Sequence, residues 1–378
     1  MIEHAARIAE VRAAELPERL IALAEEATGG PVGLYVVDIE GFRLVGIDPP
    51  AGFPPEFQIT YGLGPEIGEL GAAELATAVA DVLPGAVLAP LWLHNRATAV
   101  LVAAQDPDDA LPALATEIAP HFELAAGYTD TIDRARRVRR TSAAAEVQQD
   151  LLVPRMASIA GGEVAGSLLP AYDVGGDWFD HTDNPEGAWL SVADAVGKGP
   201  RAAAISALAL AALRGARRHG DSLEDCCQAV HEVVEQVGVE FMWFVTAVIG
   251  TWDPASATFS WICCGHPSPL VITADGRAEE LVGERTLPLG ITLDGRPRHF
   301  TRNHRHLEPG DRLLLYSDGI TERRTPDGRF GVDGLVRCVT AAESTSAAAT
   351  VAAIEQAVLA ASDGPITDDA TQLVLRVS

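Results

Sequence analysis

Apolar and polar positions alternate with different periods along the chain, and each change of period marks an element. In GLYVVDIEGFRLVGI (33–47) two apolar runs flank Glu40-Gly41, predicting two strands around a turn. VLAPLWL (87–93) and TAVLVAA (98–104) predict a second strand pair around His94-Asn95-Arg96. Residues 1–28 and 68–83 have helical patterns, and 111–152 is mostly helix-compatible with an interruption or kink expected near Pro120.

The second half carries more strand and turn signals. GAWLSVAD (187–194) predicts a strand that ends on an acid. Pro200 at a helix N1 position opens an alanine-rich helix, and SLED (222–225) resembles a capping box for another. Strands are expected at 244–252, 258–264, 268–274 and 312–318, then a helix around 346–361 and a last strand at 371–377. Strands with helices between and after them predict a layered α/β domain.

Composition narrows the picture. The chain has 378 residues, 53 of them acidic against 28 basic, for a formal net charge of −25. That balance argues against nucleic acid or an anionic membrane as partner and suits carboxylates gathered around cations. The longest uncharged apolar run, AAAISALALAAL (202–213), has the length of a core helix and not of a membrane span. The N-terminus is charged and does not read as a signal peptide. Five cysteines, two vicinal pairs and Cys338, contain no C-x-x-C spacing and are expected as reduced, buried thiols in a cytoplasmic protein. Lys198 is the one lysine of the chain, just ahead of Gly199-Pro200.

The expected division is a small α/β domain over 1–125, a helical linker over 126–155 and a larger domain over 156–378. The layout of the first resembles the GAF ligand-binding domains, which implies a sensor for an unidentified small ligand or partner. In the linker, Ala135, Val138, Ser142, Ala145, Gln149 and Leu152 follow a heptad spacing of small and polar residues beside five arginines within 134–140. Such a seam predicts a weak coiled coil and a homodimer.

VGGDWFD (174–180) permits three readings: a hairpin in which Gly175 and Gly176 supply positive φ, a phosphate-handling turn of a nucleotide cyclase, or a metal-ligand turn. The other acids bear on the choice. Asp194 ends a strand before Gly197-Lys198-Gly199, Asp318 ends LLLYS before Gly319, and Asp368-Asp369 precede the terminal strand. Acids brought together at the ends of buried strands repel unless a cation neutralises them.

The ordered set LLPAYDVGGDWFD, LSVADAVGKGPRAAAISA, CCGHPSPLVI, LPLGI, LEPGDRLLLYSDGITERR and TDDATQLVLRV resembles the metal-dependent serine/threonine phosphatases of type 2C, in the bacterial SpoIIE-like branch. The resemblance implies an α-β-β-α sandwich and hydrolysis of phosphoserine or phosphothreonine by a metal-activated water with in-line attack. It implies two Mn²⁺ or Mg²⁺ ions, or three. Asp194 matches the carboxylate bridging two ions, Ala195 the neighbour whose carbonyl joins them, Asp177 a ligand of one ion, and Asp318 and Asp368 ligands of the other. Glu322 falls on a further acidic position of the family's site. Gly319 adjoins a ligand where a side chain would crowd the metals. The implied partner is a phosphorylated anti-sigma-factor antagonist.

Two departures stand out: Cys263-Cys264 replaces the family's frequent Asn-Ala before Gly-His, and the phosphate-gripping base of eukaryotic relatives has no match. His266 reads as a general acid or, more readily, as a structural histidine. The competing functions are a pseudophosphatase that binds partners and a nucleotide cyclase. The first would lack metal acids, and the second would need Glu in place of Trp178.

Overall fold

The computed structural model describes residues 8, 10–59, 67–94, 96–170, 172, 175–238, 243–293, 298–342, 344–362 and 364–378, without the side chains of 67–74. Asn95 of the expected turn and Val174 of the Gly-Gly stretch lie outside them, as do residues 1–7 of the first expected helix. The chain forms two compact units, Met1–Arg140 and Thr141–Ser378.

In the first unit a short 3-10 turn at Ala13–Glu15 leads into α1 (Leu16–Thr28). Strands β1 (Val32–Val37), β2 (Arg43–Ile47), β3 (Glu56–Gln58), β4 (Val87–Leu93) and β5 (Arg96–Ala103) form an antiparallel sheet in the order β3-β2-β1-β5-β4. Helix α2 (Ile67–Val82) lies between β3 and β4 in the chain, and α3 (Leu111–Ala126) and α4 (Asp130–Arg136) follow β5. The near-continuous apolar character of β1 has a simple cause, because both faces of the sheet are covered. Leu34 and Val36 pack with Leu20, Leu23, Leu114 and Phe122, whereas Tyr35 packs on the other face with Phe57, Leu75 and Val79. The turn expected at Glu40-Gly41 forms because buried Asp38 accepts backbone N–H bonds from Gly41, Phe42 and Arg43.

The stretch 111–152 is not one helix. Pro120 sits inside α3 without ending it. The breaks come later, where extended Thr129 caps α4 and extended Ser142 caps the next helix, α5 (Ala143–Leu151), which belongs to the second unit. Capping side chains outcompete helix continuation there. The proposed seam is therefore divided, with Ala135 in α4, exposed Val138 in the break, Ser142 at a cap and Ala145 buried in α5. No single helix face carries all six residues.

The second unit is a four-layer sandwich. After α5 come β6 (Met156–Ile159), β7 (Gly162–Leu169), β8 (Asp177–Asn184), β9 (Gly187–Ala195), α6 (Pro200–His219) and α7 (Leu223–Gly238). Then follow β10 (Val245–Asp253), β11 (Thr258–Cys264), β12 (Leu270–Ile272), β13 (Ala278–Glu280), β14 (Arg285–Thr286), β15 (Asn303–His306) and β16 (Arg312–Tyr316). The chain ends with α8 (Asp318–Thr321), the ribbon of β17 (Arg324–Thr325) and β18 (Gly328–Arg329), α9 (Gly331–Ala341), α10 (Ala347–Ala360) and β19 (Ala370–Val377). One sheet runs β14-β11-β10-β9-β8 with β15 added on β11, and the other runs β13-β12-β16-β19-β7-β6.

Their facing sides share a core of Phe179, Leu190, Val192, Val248, Phe259, Leu313, Leu315, Leu373 and Leu375. Helices α6 and α7 bury Ile205, Leu210, Leu213, Cys226, Cys227 and Val230 against the outer face of the first sheet. Helix α10 packs on β7 and β19 of the second. This is the α-β-β-α arrangement that the family resemblance implies. Pro200 and Ser222 take their expected positions, and Ser222 Oγ accepts from Asp225 N at 3.1 Å. Cys226, Cys227, Cys263 and Cys264 are buried free thiols, and Cys338 is partly exposed.

Helix α6 is fixed to the edge strand β8 by charge. The Asp180 carboxylate is fully buried and accepts from Arg214 Nη2 at 2.6 Å and Arg217 Nη1 at 2.7 Å. Arg214 Nη2 also donates to Leu151 O at the end of α5. Removing one partner of a buried ion pair strands the other charge. Asp180→Ala should lower the unfolding free energy by about 3 kcal/mol, measured by urea denaturation. A loss under about 0.5 kcal/mol, the range of ordinary surface changes, would show that water replaces the carboxylate there.

Candidate active site

The inward side chains of β9 are Leu190 and Val192, so a period of two carries Asp194 onto the same face at the strand end. On β8, Phe179 faces inward and Trp178 outward, which puts Asp177 inward as well. The register sets Asp177 directly opposite Asp194. Ala195 N donates to Gly176 O at 3.1 Å, so residues 176 and 195 form the hydrogen-bonded pair and 177 and 194 the close, non-hydrogen-bonded one. Two carboxyls thus continue the hydrophobic face where the core runs out.

From the other sheet, Asp318 begins α8 after β16, and Asp368 and Asp369 precede β19. Asp369 is buried and in phase with Leu373 and Leu375, while Asp368 is exposed. Asp369 Oδ2 accepts from Asp177 N at 3.1 Å and from Gln148 Nε2 at 3.2 Å. Asp368 Oδ1 lies 3.2 Å from Lys198 Nζ, which also donates to Thr367 O. Exposed Glu322 ends α8 and pairs with Arg329 of β18.

Burial and mutual repulsion dominate the titration of this group. Burial first, then Asp194 and Asp369, push the Asp177 carboxyl well above the usual range. Asp194 is raised to about 7 by burial, with Asp318, Asp368 and Asp369 adding repulsion against a lowering bond from Asp177. Asp369 is raised to about 6, again mainly by burial. Asp318 is raised by partial burial of its carboxyl and by Asp368 and Glu322.

The glycines serve close approach and not turn geometry. Neither Gly175 nor Gly176 has positive φ, which removes the hairpin rationale. A Cβ on Gly176 would stand 3.1 Å from Ala195 O, and one on Gly175 would stand 3.1 Å from Ala144 Cβ. At Gly319 a Cβ would fall 1.9 Å from Asp369 O. Gly319 is therefore required by the backbone behind it, a different reason from the crowding of metals expected from the sequence.

Among the described residues no three His, Cys, Asp or Glu side chains close to metal-holding geometry. The carboxyls nevertheless fit a hard cation. Every candidate donor is oxygen, and Asp177 Oδ2 and Asp369 Oδ1 are buried without a partner. His266 lies against the same strands, its Nδ1 2.8 Å from Thr246 Oγ1, and Thr246 is opposite Asp194 in the register. Burial lowers His266 to about 3, so the ring is neutral at working pH and is no proton donor of the imidazolium type.

Sequence reasoning passed over Asp369 and Gln148. The phase of Asp369 with the inward residues of β19 was a readable signal. Gln148 had none, because its role depends on a contact made across distant parts of the chain.

The fold is that of the PP2C-type phosphatase domains. Residues 184–378 match the model of the family described as stage II sporulation protein E (SpoIIE), and the chain belongs to that family. It is 28% identical over 233 residues to the phosphoserine phosphatase RsbU of Bacillus subtilis (strain 168), covering 62% of this chain and 68% of that one. The PP2C domain and regulatory fragment of SpoIIE from Bacillus subtilis share the fold at 15% identity and a TM-score of 0.50, over 95% of this chain and 87% of that one. A Mycobacterium tuberculosis structure of RsbU and RsbW domains is 26% identical with a TM-score of 0.48, over 58% of this chain and 63% of that one. Among the described residues no helix is long and apolar enough to cross a membrane.

Raised carboxyl pKa values couple the site to stability. A group raised in the folded state binds its proton more tightly there, so its contribution is full below the unfolded value and is lost as pH rises through the folded one. In chelator, stability should therefore fall between about pH 4, the unfolded value, and about pH 7, the folded value of Asp194. Urea unfolding at stepped pH measures this. Asp194→Asn should flatten the decline, and an unchanged slope in that variant would disprove the coupling.

Proposed function

We propose that this protein hydrolyses phosphoserine or phosphothreonine on a partner protein, an anti-sigma-factor antagonist, using two Mn²⁺ or Mg²⁺ ions. What carries the reading is the close register pair of Asp177 and Asp194 on the inward face, joined by carboxyls from the opposite sheet. The name of the RsbU relative supports a phosphoserine substrate.

Asp194 would bridge the ions, with Ala195 offering its carbonyl and Asp177 a carboxylate to one of them. Asp318 and Asp368 would hold the other. Glu322 would join only by leaving Arg329. The ions, when bound, would lower the pKa of a water and balance charge on the phosphoryl oxygens. The chain supplies the rest. Gly176 lets the β8 and β9 backbones approach, Gly319 lets α8 lie on Asp369, and neutral His266 holds Thr246 beside the site. Burial raises the Cys263 thiol to about 11, which keeps it protonated and a poor nucleophile.

The N-terminal unit is proposed as a GAF-like sensor that regulates this activity. Its five-stranded sheet with helices on both faces supports that role. The divided seam gives a coiled-coil homodimer little support.

Hydrolysis of p-nitrophenyl phosphate should require Mn²⁺ or Mg²⁺, cease in EDTA and return with added metal. Asp194→Asn should reduce turnover by at least about 100-fold, the loss typical of a major electrostatic contributor, while Cys263→Ala keeps it within about twofold. Full activity in EDTA would refute the metal assignment. A Cys263→Ala loss as large as that of Asp194→Asn, in folded protein, would point to a thiol.

A further inference from the structure

The edge position of β8 leaves the backbone of Asp177 without a strand partner. In a non-hydrogen-bonded pair the N–H and C=O point away from the neighbouring strand, here away from β9 and off the sheet. Both groups are nevertheless satisfied. Asp177 N donates to Asp369 Oδ2 at 3.1 Å, and Asp177 O accepts from Gln148 Nε2 at 3.0 Å. Gln148 Nε2 also donates to Asp369 Oδ2 at 3.2 Å, closing a ring of three residues from three parts of the chain.

Gln148 is 2% exposed, and its Oε1 has no partner, so its amide is committed to this ring through Nε2 alone. The helix that carries it is held in place at its start. Ser142 N donates to Tyr172 O at 2.9 Å, Ser142 Oγ caps Ala145 N at 3.1 Å, and Ala144 is the surface on which Gly175 rests. A shift of α5 would therefore move the Gly-Gly turn and the Asp177–Asp369 contact together. Residue 148 also lies outside the family match at 184–378.

We infer that Gln148 is a positioning residue of the active site, fixing Asp177 and Asp369 for cation binding and making helix α5 a determinant of metal affinity. The inference rests on the metal reading of Asp177 above. Partners that orient metal ligands typically alter affinity 10- to 100-fold when removed.

Gln148→Met keeps the length and packing but removes the donors, and Gln148→Glu keeps the shape while facing Asp369 with an acceptor. Mn²⁺ binding, followed by electron paramagnetic resonance of free Mn²⁺, should weaken about tenfold or more in both variants. Turnover at saturating Mn²⁺ should change less than the Mn²⁺ concentration for half-activity. In an Asp369→Asn background the further loss from Gln148→Met should shrink, because the two residues act as one unit. If Gln148→Met does not fold, Gln148→Asn, too short to reach, takes its place. Mn²⁺ binding within twofold of wild type in a folded variant, or losses that simply add across the double mutant, would overturn the inference and leave Gln148 as edge-strand packing. A wild-type protein that binds no Mn²⁺ overturns the metal reading itself and is seen in the wild-type trace alone.

Discussion

Carboxyls that continue a hydrophobic face beyond the end of a core are costly to keep charged, and the second unit is organised around that cost. Asp177 and Asp194 stand opposite each other in the close pair of an antiparallel ladder, with Asp369 against the backbone of the first. Burial first, and then repulsion from neighbouring carboxyls, raises all three above the ordinary range. Such a group is stable only with its protons retained, or with cations between its members. The same electrostatic conflict that weakens the fold would be relieved by positive charge placed between the carboxyls.

The framework keeps these acids from drifting apart. Gly319 lies where any side chain would collide with the Asp369 carbonyl, and Gly176 where one would press tightly on the Ala195 carbonyl. Ser206 on α6 donates to Gly176 O, and Arg214 and Arg217 on the same helix hold Asp180 three residues beyond Asp177. Helix α6 also begins at Gly199-Pro200, directly after Lys198, whose ammonium rests on Asp368. The helix thus holds Asp180 and the Gly176 carbonyl of the first sheet, while the loop just before it supplies a cation to an acid from the second.

The first unit is built on another principle. Its sheet is covered on both faces, so the central strands β1 and β5 are mostly apolar and buried, and Asp38 organises the turn that follows β1. Thr129 caps the last helix of the first unit and Ser142 the first helix of the second, both from extended backbone. That geometry gives α5 to the second unit, where Gln148 reaches the acids.

Much of this was legible along the chain. The strand-end acids, the alanine-rich helix opened by Pro200 and the layered architecture follow from local periodicity and turn chemistry, because those signals act over a few residues. Asp369 could have been distinguished from Asp368 by its phase with Leu373 and Leu375. Other features were settled only by tertiary contact. The helical composition of 111–152 could not reveal that side-chain caps divide it, nor the glycines of VGGDWFD that they exist for Ala195 O and Ala144 and not for positive φ. The partners of Asp177 come from residues 29 positions before it and 192 after it. Sequence determined which carboxyls end which strands, since a period of two is a local property. Folding alone decided which of them would be buried together, since desolvation and repulsion arise only between groups brought into contact.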